Sequence, residues 1–179
     1  MPFEFETFPV KDVVLIIPKV FEDSRGFFLE TYEKNSFNKN DVKFGIVQSN
    51  QSKSSKGVLR GLHFQKGKYA QAKLVKCVIG EIFDVAVDIR PDSSTFGKYV
   101  GVKLNDQNKD MLYIPRGFAH GFEVLSEFAE VLYNIDNKYA PEQEGGLIWS
   151  DKTVEIDWPI KNPLLSNKDK KWPTLKELK

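Results

Sequence analysis

Apolar residues along this chain recur in short runs with a period close to two, separated by clusters of Gly, Pro, Asn, Asp and Ser. Such runs occupy 13–18 (VVLIIP), 27–32, 45–50, 58–65, 72–90 in two parts, 99–105, 111–115, 120–125 and 129–139. Segments of this length and composition, bounded by turn formers, predict β-strands. Only 32–42 (YEKNSFNKNDV) suggests a helix. Within 72–90, the runs AKLVKCVIG and EIFDVAVDIR meet at Gly80–Glu81, which predicts a tight hairpin. Many short strands with little helical periodicity favour an antiparallel sandwich or small barrel over a βαβ arrangement. Among these folds, jelly rolls enclose a cavity between their sheets. The proline- and lysine-rich end, IDWPIKNPLLSNKDKKWPTLKELK, is expected to wrap the outside of the domain.

A chain of 179 residues fits a single domain, 1–179, with its core at about 45–140, an N-terminal arm and the C-terminal wrap. The 26 basic and 25 acidic residues leave a formal charge of +1, without the field that gathers nucleic acid or an anionic membrane. Binding must therefore be local. The single cysteine, Cys77, lies in an apolar run and reads as a small buried hydrophobe, which removes disulfide frameworks and zinc ribbons. The first residues, MPFEFETFPV, lack a basic leader, and the run VVLII is far shorter than the roughly 20 residues of a membrane span. A soluble cytoplasmic protein is the expectation.

Candidate chemistry begins with the only two histidines, His63 and His120. Histidine is the side chain best suited to take a proton near neutral pH, although a strand histidine can equally be a core residue held by a carbonyl. His120 closes IPRGFAHGF, whose P-x-G-x-x-H spacing is similar to the second metal motif of cupins. The first motif of such sites needs paired histidines and a carboxylate, and the chain has no H-x-H, so no metal is expected. Period-two counting puts Lys73 on the face of Val75, Cys77 and Ile79, and Tyr133 with Val131 and Ile135. Either side chain can be structural, the lysine snorkelling and the tyrosine packing. In a cavity, the ammonium could stabilise an oxyanion and the hydroxyl deliver a proton. Arg60 and His63, in VLRGLHFQ, fall on opposite faces by strict alternation; a bulge at Gly61 would bring them to one cavity, and otherwise Arg60 is an edge arginine. Arg25 and Glu30 flank two phenylalanines in EDSRGFFLE, and Gln48 and Asn50 share a strand face.

The blocks FEDSRGFFLE, VQSNQSKS, VLRGLHFQ, QAKLVKCVIGEIFDVAVDIR, STFGKYVGVKL, YIPRGFAHGF and IWSDKTVEIDWP closely resemble, in order and along nearly the whole chain, the dTDP-4-dehydrorhamnose 3,5-epimerase family. The resemblance implies an all-β cupin-type jelly roll with short peripheral helices, acting as a cofactor-free, metal-free homodimer. It implies conversion of dTDP-4-dehydro-6-deoxy-D-glucose to dTDP-4-dehydro-L-rhamnose. By motif, the base falls on His63, supported by Asp169, the acid on Tyr133, and the residue near the C4 carbonyl on Lys73. Binding positions fall on Arg25, Phe27, Glu30, Gln48, Asn50, Arg60, His120, Glu144 and Lys168, with Tyr139 as the aromatic that stacks on thymine. Phe27 and Glu30 would belong to an arm completing the partner subunit's site.

The chemistry suits these residues. Protons on C3 and C5 are both α to the C4 ketone, so one base can remove each if the enolate oxygen is stabilised. Inversion of C3 or C5 alone, or action on another 4-keto nucleotide sugar, is the nearest alternative. A metal-dependent cupin enzyme using His120 with His63, or a non-catalytic sugar-binding module, lies further off.

Overall fold

The computed structural model describes residues 2–178; Met1 and Lys179, the outermost residues of the expected domain, lie outside the described residues. The strands are β1 (Phe3–Thr7), β2 (Val14–Pro18), β3 (Val20–Asp23), β4 (Gly26–Leu29), β5 (Gln48–Ser55), β6 (Leu59–Gln65) and β7 (Lys73–Ile79). They continue as β8 (Glu81–Asp88), β9 (Tyr99–Asn105), β10 (Met111–Ile114), β11 (Phe118–Val124), β12 (Phe128–Ile135) and β13 (Glu144–Gly146). One sheet has six strands, ordered β1-β2-β10-β7-β12-β5, and a second has five, ordered β13-β6-β11-β8-β9. All pairings of named strands are antiparallel. The two sheets form the expected jelly-roll sandwich, with β3 and β4 set apart as a separate hairpin. Among the described residues, no helix is long and apolar enough to cross a membrane.

The alternation in the strands builds three apolar layers. Val75, Cys77, Ile82, Ala86, Leu104, Leu112, Phe118 and Val131 belong to one cluster between the sheets. The opposite faces of β1, β2, β7 and β10 pack Phe3, Ile16, Leu74 and Met111 around Phe37 of the short helix α1 (Lys34–Lys39). Glu33 caps that helix by accepting hydrogen bonds from the backbone N–H groups of Asn35 and Ser36. The outer face of the second sheet is covered by the C-terminal segment, with Val85, Val87 and Ala119 packed against Leu147, Trp158 and Leu175. The second sheet is thus buried on both faces, and every residue of β11 is buried.

Three expectations require correction. Strands β7 and β8 do not form a hairpin: β7 pairs with β10 and β12, whereas β8 pairs with β9 and β11. At Gly80, φ is +81°, and the chain crosses from one sheet to the other there. A Cβ at Gly80 would lie 2.2 Å from the Phe128 carbonyl oxygen, so the crossing requires glycine. Period-two patterning fixes the face of each strand and leaves its partner open. The strand expected at 27–32 ends at Leu29, and that expected at 45–50 is displaced to Gln48–Ser55, a polar edge strand beside β12.

Candidate active site

The sheets part around a cavity of about 540 Å³ that receives Arg60 and His63 from β6, Lys73 from β7, His120 from β11 and Tyr133 from β12. Lys168 and Asp169 close it from the C-terminal segment. A neighbouring cavity of about 290 Å³ shares His63, Lys73 and Tyr133, and adds Gln48, Asn50, Tyr139 and Glu144. His63 belongs to the five-stranded sheet and Tyr133 to the six-stranded one, so they enter from opposite walls.

Arg60 and His63 share a cavity because β6 carries an extra residue. His63 pairs with His120 and Arg60 with Phe122, so three steps along β6 match two along β11. The bulge changes the parity of the strand. Gly61, at φ +147°, lies where a Cβ would approach Gly121 Cα to 2.6 Å; reciprocally, a Cβ at Gly121 would meet the Arg60 carbonyl oxygen at 2.7 Å. Two glycines therefore let the backbones close up where the side chains must be re-aimed.

His63 Nε2 lies 2.6 Å from Asp169 Oδ1, and Asp169 is 4% exposed. Burial alone would raise the Asp169 carboxyl; the hydrogen bond and charge of His63, with bonds involving Ser166 and Trp172, outweigh it and hold the carboxyl below its ordinary range. A carboxylate here fixes the imidazole with its proton on Nε2 and its lone pair on Nδ1. Lys73 Nζ lies 3.4 Å from both the His63 carbonyl oxygen and His120 Nδ1. Burial pushes the Lys73 ammonium down to about 8, against the opposing pull of Asp84 and Glu144. Burial likewise raises the Tyr133 hydroxyl, Arg60 opposing and Glu144 reinforcing the shift. The site thus holds an oriented imidazole, a protonated phenol and a desolvated cation.

Around the second cavity, Glu144 accepts from Tyr139 Oη at 2.8 Å and pairs with Lys168 at 2.5 Å. Gln48 donates to Asn50 at 2.7 Å, while at the first cavity Arg60 Nε donates to Ser54 Oγ at 2.9 Å. These groups offer amides, a cation and an aromatic ring in one groove. Arg25, Phe27 and Glu30 are not brought to either cavity within the chain: Arg25 is exposed on the β3–β4 turn and paired with Asp23 at 2.6 Å. Cys77 is buried, and burial first, then Asp106, pushes its thiol up to about 12, far from a thiolate nucleophile.

Sequence reasoning passed over Asp84, whose Oδ1 lies 2.8 Å from His120 Nε2, and Trp172, whose Nε1 donates to Asp169 at 3.2 Å. A signal for Asp84 existed: in EIFDVAVD, alternation puts it with Ile82 and Ala86 on the inter-sheet face. Among the described residues, no group of three or more His, Cys, Asp or Glu is arranged to hold a metal ion.

A jelly-roll sandwich with a carboxylate-paired histidine and a tyrosine on opposite walls of one cavity, and a buried lysine in the same cavity, defines a class of acid–base enzyme. Residues 7–177 match the family model for dTDP-4-dehydrorhamnose 3,5-epimerase. The chain is 57% identical over 161 residues to the Shigella flexneri dTDP-4-dehydrorhamnose 3,5-epimerase, covering 89% of each protein. The crystal structure of the Elizabethkingia anophelis enzyme superposes with a TM-score of 0.95 at 49% identity, covering 99% of this chain and 98% of that one. The Legionella pneumophila epimerase, solved with dTDP-4-keto-L-rhamnose, gives 0.94 at 42% identity, covering 98% and 96%. The chain belongs to the dTDP-4-dehydrorhamnose 3,5-epimerase family.

Proposed function

We propose that the protein inverts C3 and C5 of dTDP-4-dehydro-6-deoxy-D-glucose, giving dTDP-4-dehydro-L-rhamnose, by two rounds of deprotonation and reprotonation. His63, with its proton held on Nε2 by Asp169, removes the proton α to the C4 ketone. The electrons of the C–H bond move into an enolate whose oxygen is met by the Lys73 ammonium. Tyr133 then delivers a proton to carbon from the other face, and the imidazolium and phenolate are reset by exchange with solvent. The observation that carries this reading is the pair His63 and Tyr133 on opposing sheets of one cavity, since inversion requires removal on one face and return on the other.

Arg60 and His120 serve the sugar end of the groove, and Gln48, Asn50, Tyr139, Glu144 and Lys168 the nucleotide end. A homodimer supplies Arg25, Phe27 and Glu30 from the partner's arm, a role supported by Phe27 and Phe28 standing 60% and 65% exposed on the β3–β4 hairpin. The enzyme works in the cytoplasm without cofactor or metal. Incubation with dTDP-4-dehydro-6-deoxy-D-glucose, with product configuration read by NMR, tests the assignment. The L-rhamno product is expected; unchanged substrate overturns the assignment, and inversion at one carbon reduces it to a mono-epimerase.

A further inference from the structure

Behind Lys73 runs a line of groups that these proton transfers do not use. Asp84, on β8, is 0% exposed in the inter-sheet core, and its only hydrogen-bond partner among the described residues is His120, with Oδ2 unpartnered. His120 is itself 6% exposed, with Nδ1 3.4 Å from Lys73 Nζ. An ammonium can only donate, so Nδ1 must present its lone pair. The proton of a neutral imidazole then sits on Nε2 and is donated to Asp84. Burial holds the imidazole below its ordinary pKa, Asp84 opposing and Lys73 reinforcing that shift, which favours the neutral ring.

We propose that Asp84 is a positioning residue: acting through His120, it keeps Lys73 charged and aimed at the sugar C4 oxygen. For the sugar this rests on the epimerase assignment; the line of charge itself does not. The other titratable groups that share cavities with Lys73 are His63 and Arg60 from β6, Tyr133 from β12, Tyr139 from the segment after it, Glu144 from β13, and Lys168 and Asp169 from the C-terminal segment. Of the acids, Asp169 is taken up by His63, and Glu144 by Lys168 and Tyr139. Asp84 alone has a charge directed along one imidazole toward Lys73. His120 accordingly supports the lysine from behind, with both ring nitrogens engaged in the line.

Asp84→Asn is nearly isosteric and keeps an oxygen able to accept from His120 Nε2, so it removes the charge and spares the hydrogen bond. In protein labelled with ¹³Cε-lysine, with the Lys73 signal assigned from Lys73→Arg, the Lys73 titration midpoint should fall by about one unit or more in Asp84→Asn. The basic limb of kcat/KM should fall with it. A merely structural Asp84 would lower activity evenly across pH and leave the midpoint unmoved, which overturns the proposal. Wild-type protein labelled with ¹⁵N-histidine gives a readout that needs no variant. His120 should be the neutral Nε2–H tautomer at neutral pH, and an Nδ1–H tautomer or an imidazolium there overturns the proposal. Both NMR readouts stand even if the wild-type enzyme leaves the dTDP sugar untouched, a result that would sink the functional assignment instead.

Discussion

His63 and Asp169 are 106 residues apart in sequence, yet His63 Nε2 and Asp169 Oδ1 lie 2.6 Å apart. The C-terminal segment therefore does more than cover the sheet: it brings a carboxylate to the histidine proposed as the base. Asp169→Asn should lower kcat by about 10²–10³-fold with a small change in KM, because the amide cannot stabilise the imidazolium. Steady-state kinetics at saturating sugar checks this. The carboxyl titrates below its ordinary value in the folded state, so its stabilising contribution is present above pH 3.8 and is lost as pH falls through the lowered pKa. The stability gap between wild type and the variant should narrow in that acid range in urea melts.

Tyr133 enters the cavity from the sheet opposite His63, so its loss should separate exchange from inversion. Tyr133→Phe should lower turnover to the L-rhamno product by about 10²-fold or more. The His63 base would still wash solvent deuterium into substrate that keeps its configuration. Full inversion by the variant would remove Tyr133 from the acid role.

Burial of the Lys73 ammonium costs stability. Its folded pKa of about 8 lies below the ordinary lysine value of 10.5, so the folded state binds fewer protons between those values. The destabilisation is full below about pH 8 and is relieved as pH rises toward 10.5. Lys73→Met should abolish epimerisation while raising stability at pH 7 by an amount on the order of 1–3 kcal/mol. Calorimetry should show the gain in Tm shrinking as pH rises toward 10.5. In the wild type, activity should decline above about pH 8 as the ammonium is lost.

Gly61 re-aims β6, and its φ of +147° and the 2.6 Å approach to Gly121 Cα leave no room for a methyl group. Gly61→Ala should cost about 2–4 kcal/mol in urea denaturation. Activity at temperatures where the variant is folded should also fall, since Arg60 and His63 depend on the same bulge.

Local patterning carried part of this site. Period-two counting on β7 and β12 is enough to turn Lys73 and Tyr133 toward the core, and the glycine between Arg60 and His63 hints at the bulge. The same counting would have reached Asp84, had a single acid in an apolar strand been followed to its face. Pairing is another matter: whether 73–79 lies beside 81–88 or across from it depends on contacts distant in sequence, and a glycine turn is compatible with both. Asp169 is placed by a segment without regular strands, and the role proposed for it came only from the resemblance to a known family. Arg25, Phe27 and Glu30 came from the same resemblance, and the single chain leaves them apart from the cavity.

The central claim is that one histidine deprotonates both carbons flanking the ketone. Incubation of dTDP-4-dehydro-6-deoxy-D-glucose in deuterated water with wild type and with His63→Ala, followed by NMR, tests it most directly. Deuterium at both C3 and C5 with wild type, and at neither with the variant, is the predicted result. Label at either carbon in the variant at the wild-type rate would contradict it.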